Sequence, residues 1–345
     1  MSMAVDFGAH RLKSLRRRES TLAARACRAR YAATPDLPER RKLLDQLGIP
    51  HAICEEHLVL IGDAAAEYAR LFQTPCVSLL PGGRVPQDDP PARQILGSIV
   101  EALLPPPAVP RETCCLTVPG QDGPHRHGRE TEFLTRLVRL QGYTPVVLGA
   151  GMAVVLAELV SNSFSGIGIS FGEATCQLSL AHRGNELANC TVPRAGRWID
   201  EELARAAQEY AWDARGNRYL DAEAAAVWKQ SVTSSLTSPA EGRETLRAEL
   251  YERMIEHLLE TAAREFAAVP ETREVPQPVP IVAAGGTARA AGFEDMLQRC
   301  LAKSSLPLRV GRCRVVAESD YVIARGLLIH AELEAEFRGK SRRAA

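Results

Sequence analysis

The stretch "GISFGEATCQLSL" (168–180) holds the pattern that decides the fold. Apolar, strand-like runs at 167–169 and 176–180 enclose a tight turn. The turn consists of Gly172, Glu173, Ala174 and Thr175. Strand–turn–strand units with a glycine and a hydroxyl group in the turn often bind a phosphate through backbone N–H groups. However, Ser170 ends the first strand, where a phosphate and magnesium site would usually present a carboxylate. The stretch therefore raises two questions: whether the turn holds a nucleotide, and whether it can do chemistry on it.

The overall composition is that of a globular protein with balanced charge. Hydrophobic residues make up 46% and charged residues 24% of the 345 residues, which is enough for two domains or one large bilobal fold. Lys and Arg together number 42, as do Asp and Glu. The overall charge therefore predicts no nucleic-acid or membrane partner.

Basic residues nevertheless gather at both ends of the chain. Among the first thirty residues, eight cations face only Asp6 and Glu19, and the final stretch "FRGKSRRAA" (337–345) adds four more. On a strand, Arg16 to Arg18 would place charge on both faces, which suits an exposed hairpin tip. No aromatic residues interleave with them, so we expect no sequence-specific or single-stranded nucleic-acid partner. Contact of the basic ends with an anionic membrane surface or an acidic partner stays open.

The sequence predicts a cytoplasmic protein. The first ten residues lack the charged and apolar regions of a signal peptide, and no run of about 18 uncharged apolar residues exists. The nine cysteines include no CxxC pair, so we expect reduced thiols. His125 and His127 are expected in a solvated loop rather than in a metal site. A peripheral position at the inner face of the membrane stays open.

Alternating strand-like and helix-like runs predict an α/β fold with mixed sheets. A hairpin opens each half of the chain, and a strand–glycine–helix element comes late in the second half. Three glycine turns then fall into an order along the chain. They are "VDFGAH" (5–10), "SFGEAT" (170–175) and "AAGGTARAAGF" (283–293).

This order of turns resembles the actin superfamily and, within it, the bacterial actin MreB. Four further stretches resemble MreB motifs in the same order. They are "VLIGDAAAEYA" (59–69), "LLPGGRVPQDDPPARQIL" (79–96), the region 116–158 and "AESDYVIARGLLIHAE" (317–332). Each motif alone is weak, but the ordered set runs nearly from end to end of the chain.

The resemblance implies an actin-like bilobal fold, with two mixed sheets flanked by helices and a nucleotide cleft between the halves. It implies a first half over 1–160 and a second half over 161–318, with a helical subdomain at about 201–268. A C-terminal helix at about 319–336 would pack back on the first half.

The resemblance also implies ATP and Mg²⁺ as ligands and names the residues that would hold them. The phosphates would lie between the backbone N–H groups of two turns, which are Gly8, Ala9 and His10 below and Gly172, Glu173, Ala174 and Thr175 above. Gly285 and Gly286 would let the backbone approach the sugar or base, and Thr287 would donate a hydroxyl group. Asp6 would hold Mg²⁺ through water.

Departures from the family pattern cluster at the positions that carry its chemistry. Ser170 replaces an Asp that would bind metal-bound water, and Ala150 replaces the Glu that positions the attacking water. Arg197 replaces a further Asp. In the second turn, Glu173 and Ala174 replace two glycines. Elsewhere, Gly151 replaces a Pro, and Ala9 and His10 replace small hydroxyl-bearing residues. The carboxylate of Glu173 would repel a triphosphate unless a cation bridges them. Because positioning groups commonly carry about 10²–10⁴ in rate each, we expect ATP hydrolysis to be absent or very slow.

Three functions remain open on the sequence. The first is an MreB-like protein that binds ATP–Mg²⁺ and forms filaments or joins a cell-shape or division complex, with weak or lost hydrolysis. The second is a catalytically dead scaffold with the same fold and an empty cleft. The third is a small-molecule kinase, which would need an acidic general base in the cleft, and none stands out there.

Overall fold

A computed structural model of the chain describes residues 2–120, 128–213 and 215–344, with the backbone alone described for Ser319 and 338–344. The strands are β1 (Ser2–Phe7), β2 (Arg11–Arg18), β3 (Thr21–Arg28), β4 (Arg30–Pro35), β5 (Ala52–Cys54), β6 (His57–Ile61), β7 (Val77–Ser78), β8 (Thr113–Leu116), β9 (Thr144–Val147), β10 (Gly166–Phe171), β11 (Cys176–His182), β12 (Asn185–Val192), β13 (Tyr210–Trp212), β14 (Arg218–Leu220), β15 (Val279–Ala284) and β16 (Val310–Val315). The helices are α1 (Pro38–Gln46), α2 (Asp63–Tyr68), α3 (Pro90–Leu103), α4 (Arg129–Leu140), α5 (Ala150–Glu158), α6 (Gly196–Ala206), α7 (Ala222–Ser231), α8 (Arg243–Ala267), α9 (Phe293–Lys303) and α10 (Val322–Ala344).

The same sheet topology occurs twice along the chain. The first sheet has the strand order β3-β2-β1-β8-β9, and the second has the order β12-β11-β10-β15-β16. In each sheet the opening strand pairs antiparallel with the next strand and parallel with a later one. The opening strands β1 and β10 are buried along their whole length, as central strands covered on both faces should be. The prediction of mixed sheets with a hairpin opening each half is therefore confirmed.

Each half also carries a smaller insertion. In the first half, β5, β6, β4 and β7 form a four-stranded sheet that packs with α1 and α2 around a core of its own. In the second half, β13 and β14 form a small hairpin between α6 and α7 in the chain, and β14 contacts α6. This hairpin was not predicted, because each of its strands has only three residues and lacks a clear alternation.

Two helices join the halves at their base. Helix α5 packs on β10 and β11 of the second sheet, and α10 packs on β1 and β8 of the first. The two helices also pack on each other so closely that a Cβ at Gly326 would lie 1.9 Å from the carbonyl oxygen of Ala153. The division of the chain near residue 160 stays a prediction, but α10 does pack back on the first sheet.

The outer edge of the second sheet is covered by side chains. The backbone N–H of Cys313 on β16 donates to Gln298 Oε1 at 2.8 Å, and that of Val315 donates to Glu294 Oε2 at 2.9 Å. Just before the strand, the N–H of Arg309 donates to Gln277 Oε1 at 2.8 Å. These amides point away from β15 and would otherwise be free to pair with another strand.

The structure corrects one local prediction and leaves another outside its range. Arg16 is not at an exposed hairpin tip, because its guanidinium is buried and pairs with Glu112 at 2.8 Å. Arg17 and Arg18 do lie at the exposed end of β2. His125 and His127 fall outside the described residues. All nine cysteines are free thiols, and no helix among residues 2–120, 128–213 and 215–344 has the length and apolar character that crossing a membrane requires.

Candidate functional site

The first predicted phosphate turn joins β1 to β2. A Cβ at Gly8 would lie 2.6 Å from the carbonyl oxygen of Arg11, so the tight turn requires a residue without a side chain. The carbonyl of His10 accepts a hydrogen bond from the N–H of Ala29 at 2.9 Å, which ties the turn to the start of the inserted sheet.

The second predicted phosphate turn joins β10 to β11 and is fixed from two sides. Within it, the N–H of Gly172 donates to the carbonyl of Thr175 at 3.0 Å. The carbonyl of Gly172 accepts from the N–H of Gly196 at 3.1 Å, and that of Glu173 accepts from the N–H of Arg197 at 2.7 Å. The start of α6 therefore holds the backbone of this turn in place.

The third turn, at the end of β15, packs directly on the second. Gly285 has φ +112°, and a Cβ there would lie 2.2 Å from the carbonyl oxygen of Phe171. Gly286 has no atom within 4 Å of the equivalent position, so this second glycine is not required by packing. The hydroxyl of Thr287 donates to the carbonyl of Gly172 at 2.8 Å. The structure thus brings the second and third turns together.

The first and second turns face each other with unpaired backbone amides. Among the described residues, no acceptor is bonded to the backbone N–H groups of Ala9, His10, Glu173, Ala174 and Thr175. Ala9, Ala174 and Thr175 are buried. Buried amides without a partner are rare in folded proteins, and successive amides in a turn make an anion-binding concavity.

An ion-pair network connects the two halves between these turns. One oxygen of Glu173 lies 2.9 Å from Nδ1 of His10, and the other lies 2.8 Å from Arg30. Arg30 also pairs with Glu223, which lies 2.8 Å from Arg197. The network therefore runs from the first turn, through the second, to the start of α6 and to α7. Sequence reasoning foresaw a need for a cation beside Glu173 but did not find Arg30.

The environment of Glu173 strongly favours its charged form. Burial raises the pKa of this carboxyl, but the hydrogen bond with His10 and the nearby charges of Arg30, His10 and Arg197 outweigh burial and lower the pKa to about 2. The carboxylate between the turns is therefore ionised across the neutral range, with one oxygen bonded to His10 and the other paired with Arg30.

The predicted metal-holding carboxylate, Asp6, lies within β1 and is buried. Its Oδ1 accepts a hydrogen bond from Thr117 at 2.9 Å, and Thr117 in turn accepts from the N–H of Phe7 at 3.1 Å. Burial raises the pKa of Asp6, while the charge of Lys13 and the Thr117 bond oppose the rise. Lys13 was missed, although a strand register that places it directly across from Asp6 on β2 could have found it.

The described residues contain no group of three His, Cys, Asp or Glu side chains that could hold a metal ion by themselves. A magnesium ion at Asp6 would therefore need water and ligand phosphates to complete its shell, which is how Mg²⁺ is commonly bound. The fit to a nucleotide is thus divided: the backbone amides and the glycine turns suit phosphates, while the carboxylate of Glu173 stands between the turns.

Ala150, which stands where the resemblance implies a catalytic Glu, makes a backbone contact with the second sheet. The N–H of Ala150, at the start of α5, donates to Oε1 of Gln177 at 2.7 Å. Gln177 lies on β11 opposite Ser170 in the register, and both side chains are buried. Gln177 was missed because a single polar residue in an apolar strand has no distinctive sequence signal.

A buried ion pair holds the start of α6, which in turn is bonded to the second turn. Lys229 lies 2.6 Å from Asp200 and donates to the carbonyl of Gly196 at 3.0 Å. Burial raises the pKa of Asp200 to about 6, although the charge of Lys229 and its hydrogen bond lower it. Sequence reasoning missed this pair too, because its two residues lie on different helices.

Two duplicated sheets, with three glycine turns meeting between them, define an actin-like fold. The family model for volactin matches residues 1–331. The chain therefore belongs to the volactin family. It matches no curated protein.

Solved structures of actin-like proteins align with almost the whole chain. The MamK double helical filament is 19% identical, with a TM-score of 0.67, and the alignment covers 96% of this chain and 99% of that one. MreB 5 of Spiroplasma citri bound to AMPPNP is 13% identical, with a TM-score of 0.68 and coverages of 99% and 98%. The ethanolamine utilization protein EutJ from Carboxydothermus hydrogenoformans is 18% identical, with a TM-score of 0.50 and coverages of 95% and 89%.

These similarities confirm the predicted fold and the resemblance to bacterial actins. At such identities they speak for the fold alone. The ligand roles of the three turns and of Asp6 stay predictions.

Proposed function

We propose that this volactin family protein is a filament-forming actin-fold protein that binds adenine nucleotide between its three turns and hydrolyses it very slowly. The observation that carries the proposal is the set of unpaired amides in the first two turns. Amide N–H groups of buried residues need an acceptor, and a phosphate chain supplies several at once. Two of the aligned structures, MreB 5 and a non-polymerising MamK mutant, are described as bound to AMPPNP.

In this proposal each turn has a separate task. Amides of the first and second turns bind the phosphates, while Gly285 and its neighbours form the wall against which the nucleoside lies. Asp6 holds Mg²⁺ through water, and the metal neutralises phosphate charge when it is bound. Lys13 is the cation that the first half places beside Asp6.

The slow hydrolysis follows from the residues beside the phosphates. An attacking water needs a group that orients it in line with the terminal phosphate. Ala150 has no side-chain group for this, and the amide of Gln177 is engaged with the backbone of α5. A turnover comparable with that of ordinary bacterial actins, lost in an Asp6→Ala variant, would contradict this part of the proposal.

Self-association is the second part of the proposal. It is supported by the fold and by the filament form in which MamK was solved. A role in a cell-shape or division complex would follow if the filaments lie beneath the membrane. Contact with anionic lipid or an acidic partner would depend mainly on Arg18 and the C-terminal segment 337–345, because Arg11, Arg17 and Arg28 already pair with acidic residues of the chain.

A scaffold without nucleotide is the second candidate, and one observation favours it. The halves are already joined by ion pairs: Glu173 with His10 and Arg30 near the turns, and Arg70 with Asp221 at 2.8 Å further out. A cleft that closes on its own side chains needs no ligand to do so.

Thermal unfolding with and without nucleotide separates the two candidates. ATP or ADP with Mg²⁺ at 100 times its Kd should stabilise the protein by about 2.7 kcal/mol. The same ligands should shift the sedimented fraction in a pelleting assay, and negative-stain images should show filaments. Filaments with no effect of any nucleotide on unfolding would favour the scaffold, while a protein that stays monomeric under all conditions would contradict both.

A further inference from the structure

The anion that lies between the two phosphate turns is a carboxylate of the chain itself. Glu173 belongs to the second turn, yet its side chain reaches the first turn and bonds to Nδ1 of His10 at 2.9 Å. Its other oxygen bonds to Arg30 at 2.8 Å. The side chain of Arg30 is only 4% exposed and that of Glu173 is 15% exposed, so this pair is shielded from water, while His10 on the other side is 44% exposed.

We propose that Glu173 takes the place of a terminal phosphate and makes the cleft select nucleoside diphosphates over triphosphates. The inference rests on the proposed nucleotide binding and adds which class of nucleotide is preferred. A diphosphate would use the amides of the turns and leave the bonds of Glu173 to His10 and Arg30 intact. A triphosphate would have to displace this carboxylate from both partners or lie beside it.

Charge balance supports this preference. Near the turns, Arg30 pairs with both Glu173 and Glu223, and Arg197 pairs with Glu223 and Glu201. A third phosphate would bring further negative charge next to the carboxylate of Glu173, whose partner Arg30 is already shared with Glu223. Like charges a few ångströms apart in a site with little water repel strongly enough to give at least about a tenfold preference.

The backbone around Glu173 makes displacement of the side chain more difficult. Its carbonyl is bonded to the N–H of Arg197 at 2.7 Å, and the neighbouring Gly172 is bonded to both Gly196 and Thr287. The turn therefore cannot easily swing away as a unit to clear space for another phosphate.

Isothermal titration of the full chain with Mg²⁺–ADP and with Mg²⁺–AMPPNP tests the proposal without relying on turnover. The wild type should bind ADP at least about tenfold more tightly than AMPPNP, given the repulsion that a buried carboxylate exerts. A Glu173→Gly variant, which restores the glycine of the MreB-like pattern, should bind the two nucleotides with similar affinity. Glu173→Gln removes the charge but keeps the size, so its preference for ADP should lie between those of the wild type and Glu173→Gly. This variant also keeps the test available if Glu173→Gly folds poorly.

An Arg70→Gln variant is the matched control, since it removes an ion pair between the halves in which neither Glu173 nor its partners take part, and it should keep the wild-type preference. Equal affinities of the wild type for ADP and AMPPNP would overturn the inference and leave nucleotide binding intact. Failure of the wild type and of both Glu173 variants to bind any nucleotide would overturn the proposed function together with the inference.

Discussion

The charge of Glu173 should make a measurable, pH-dependent contribution to stability. A fall of its pKa from 4.5 to about 2 on folding, at about 1.36 kcal/mol for each pH unit, corresponds to about 3 kcal/mol at pH 7. Because the pKa is lower in the folded protein, this stabilisation is present above pH 4.5 and is lost as the pH falls toward 2. At pH 3 only about 1 kcal/mol should remain.

The assay is urea unfolding at pH 7, 5, 4 and 3 for the wild type and for Glu173→Gln. The wild type should lose about 2 kcal/mol more than the variant between pH 7 and pH 3, since only the wild type has the ionised carboxylate. Asp6 has a raised pKa and acts in the opposite sense, but it is present in both proteins and cancels in the difference. The pKa of Asp200 is also raised, in part by the charge of Glu173, so Asp200 makes the difference between the two proteins slightly smaller. Glu202→Gln, which changes a partly exposed carboxylate on the surface of α6, should follow the wild type. Parallel curves for the wild type and Glu173→Gln would refute the reasoning.

Two further substitutions each have an internal control. Gly285→Ala should destabilise the protein by about 3 kcal/mol or more, because it puts a Cβ 2.2 Å from a carbonyl oxygen at a residue with a positive φ. The control Gly286→Ala should change the free energy of unfolding by less than about 1 kcal/mol. Equal effects in thermal unfolding would show that the third turn is not packed as described. Arg16→Met should cost about 3–5 kcal/mol in urea unfolding by leaving the buried charge of Glu112 unpaired, while the exposed Arg18→Gln should change stability by less than about 0.5 kcal/mol. A mild effect of Arg16→Met would mean that water reaches Glu112.

The strands and turns that define the fold were predictable because their signals are local. Short stretches of sequence specify the hairpin at 168–180 and the glycine turns at Gly8 and Gly285, and each forms where expected. The helices at 92–104, 129–141 and 293–302 were likewise predicted to within two residues at each end. What a short stretch cannot encode is its partner across the cleft.

The parts of the site that were missed depend on contacts between distant segments. Glu173 bonds to His10 and Arg30, which lie 163 and 143 positions away in the chain. Nothing in the sequence near either residue specifies these pairings, because they follow from how the halves pack. The burial of Arg16 was missed for the same reason, since its partner Glu112 is 96 positions away. Charge on a predicted strand indicates exposure only when no buried acid lies across from it.

The covered edge of the second sheet limits how copies of this protein can join. Because Gln298 and Glu294 occupy the outward amides of Cys313 and Val315, a neighbour's strand cannot bond to these two amides of β16. A contact between copies at this part of the edge would be made mainly by side chains, whose shape and charge select a partner. The occupied amides therefore protect this part of the edge from uncontrolled extension into aggregated β-structure.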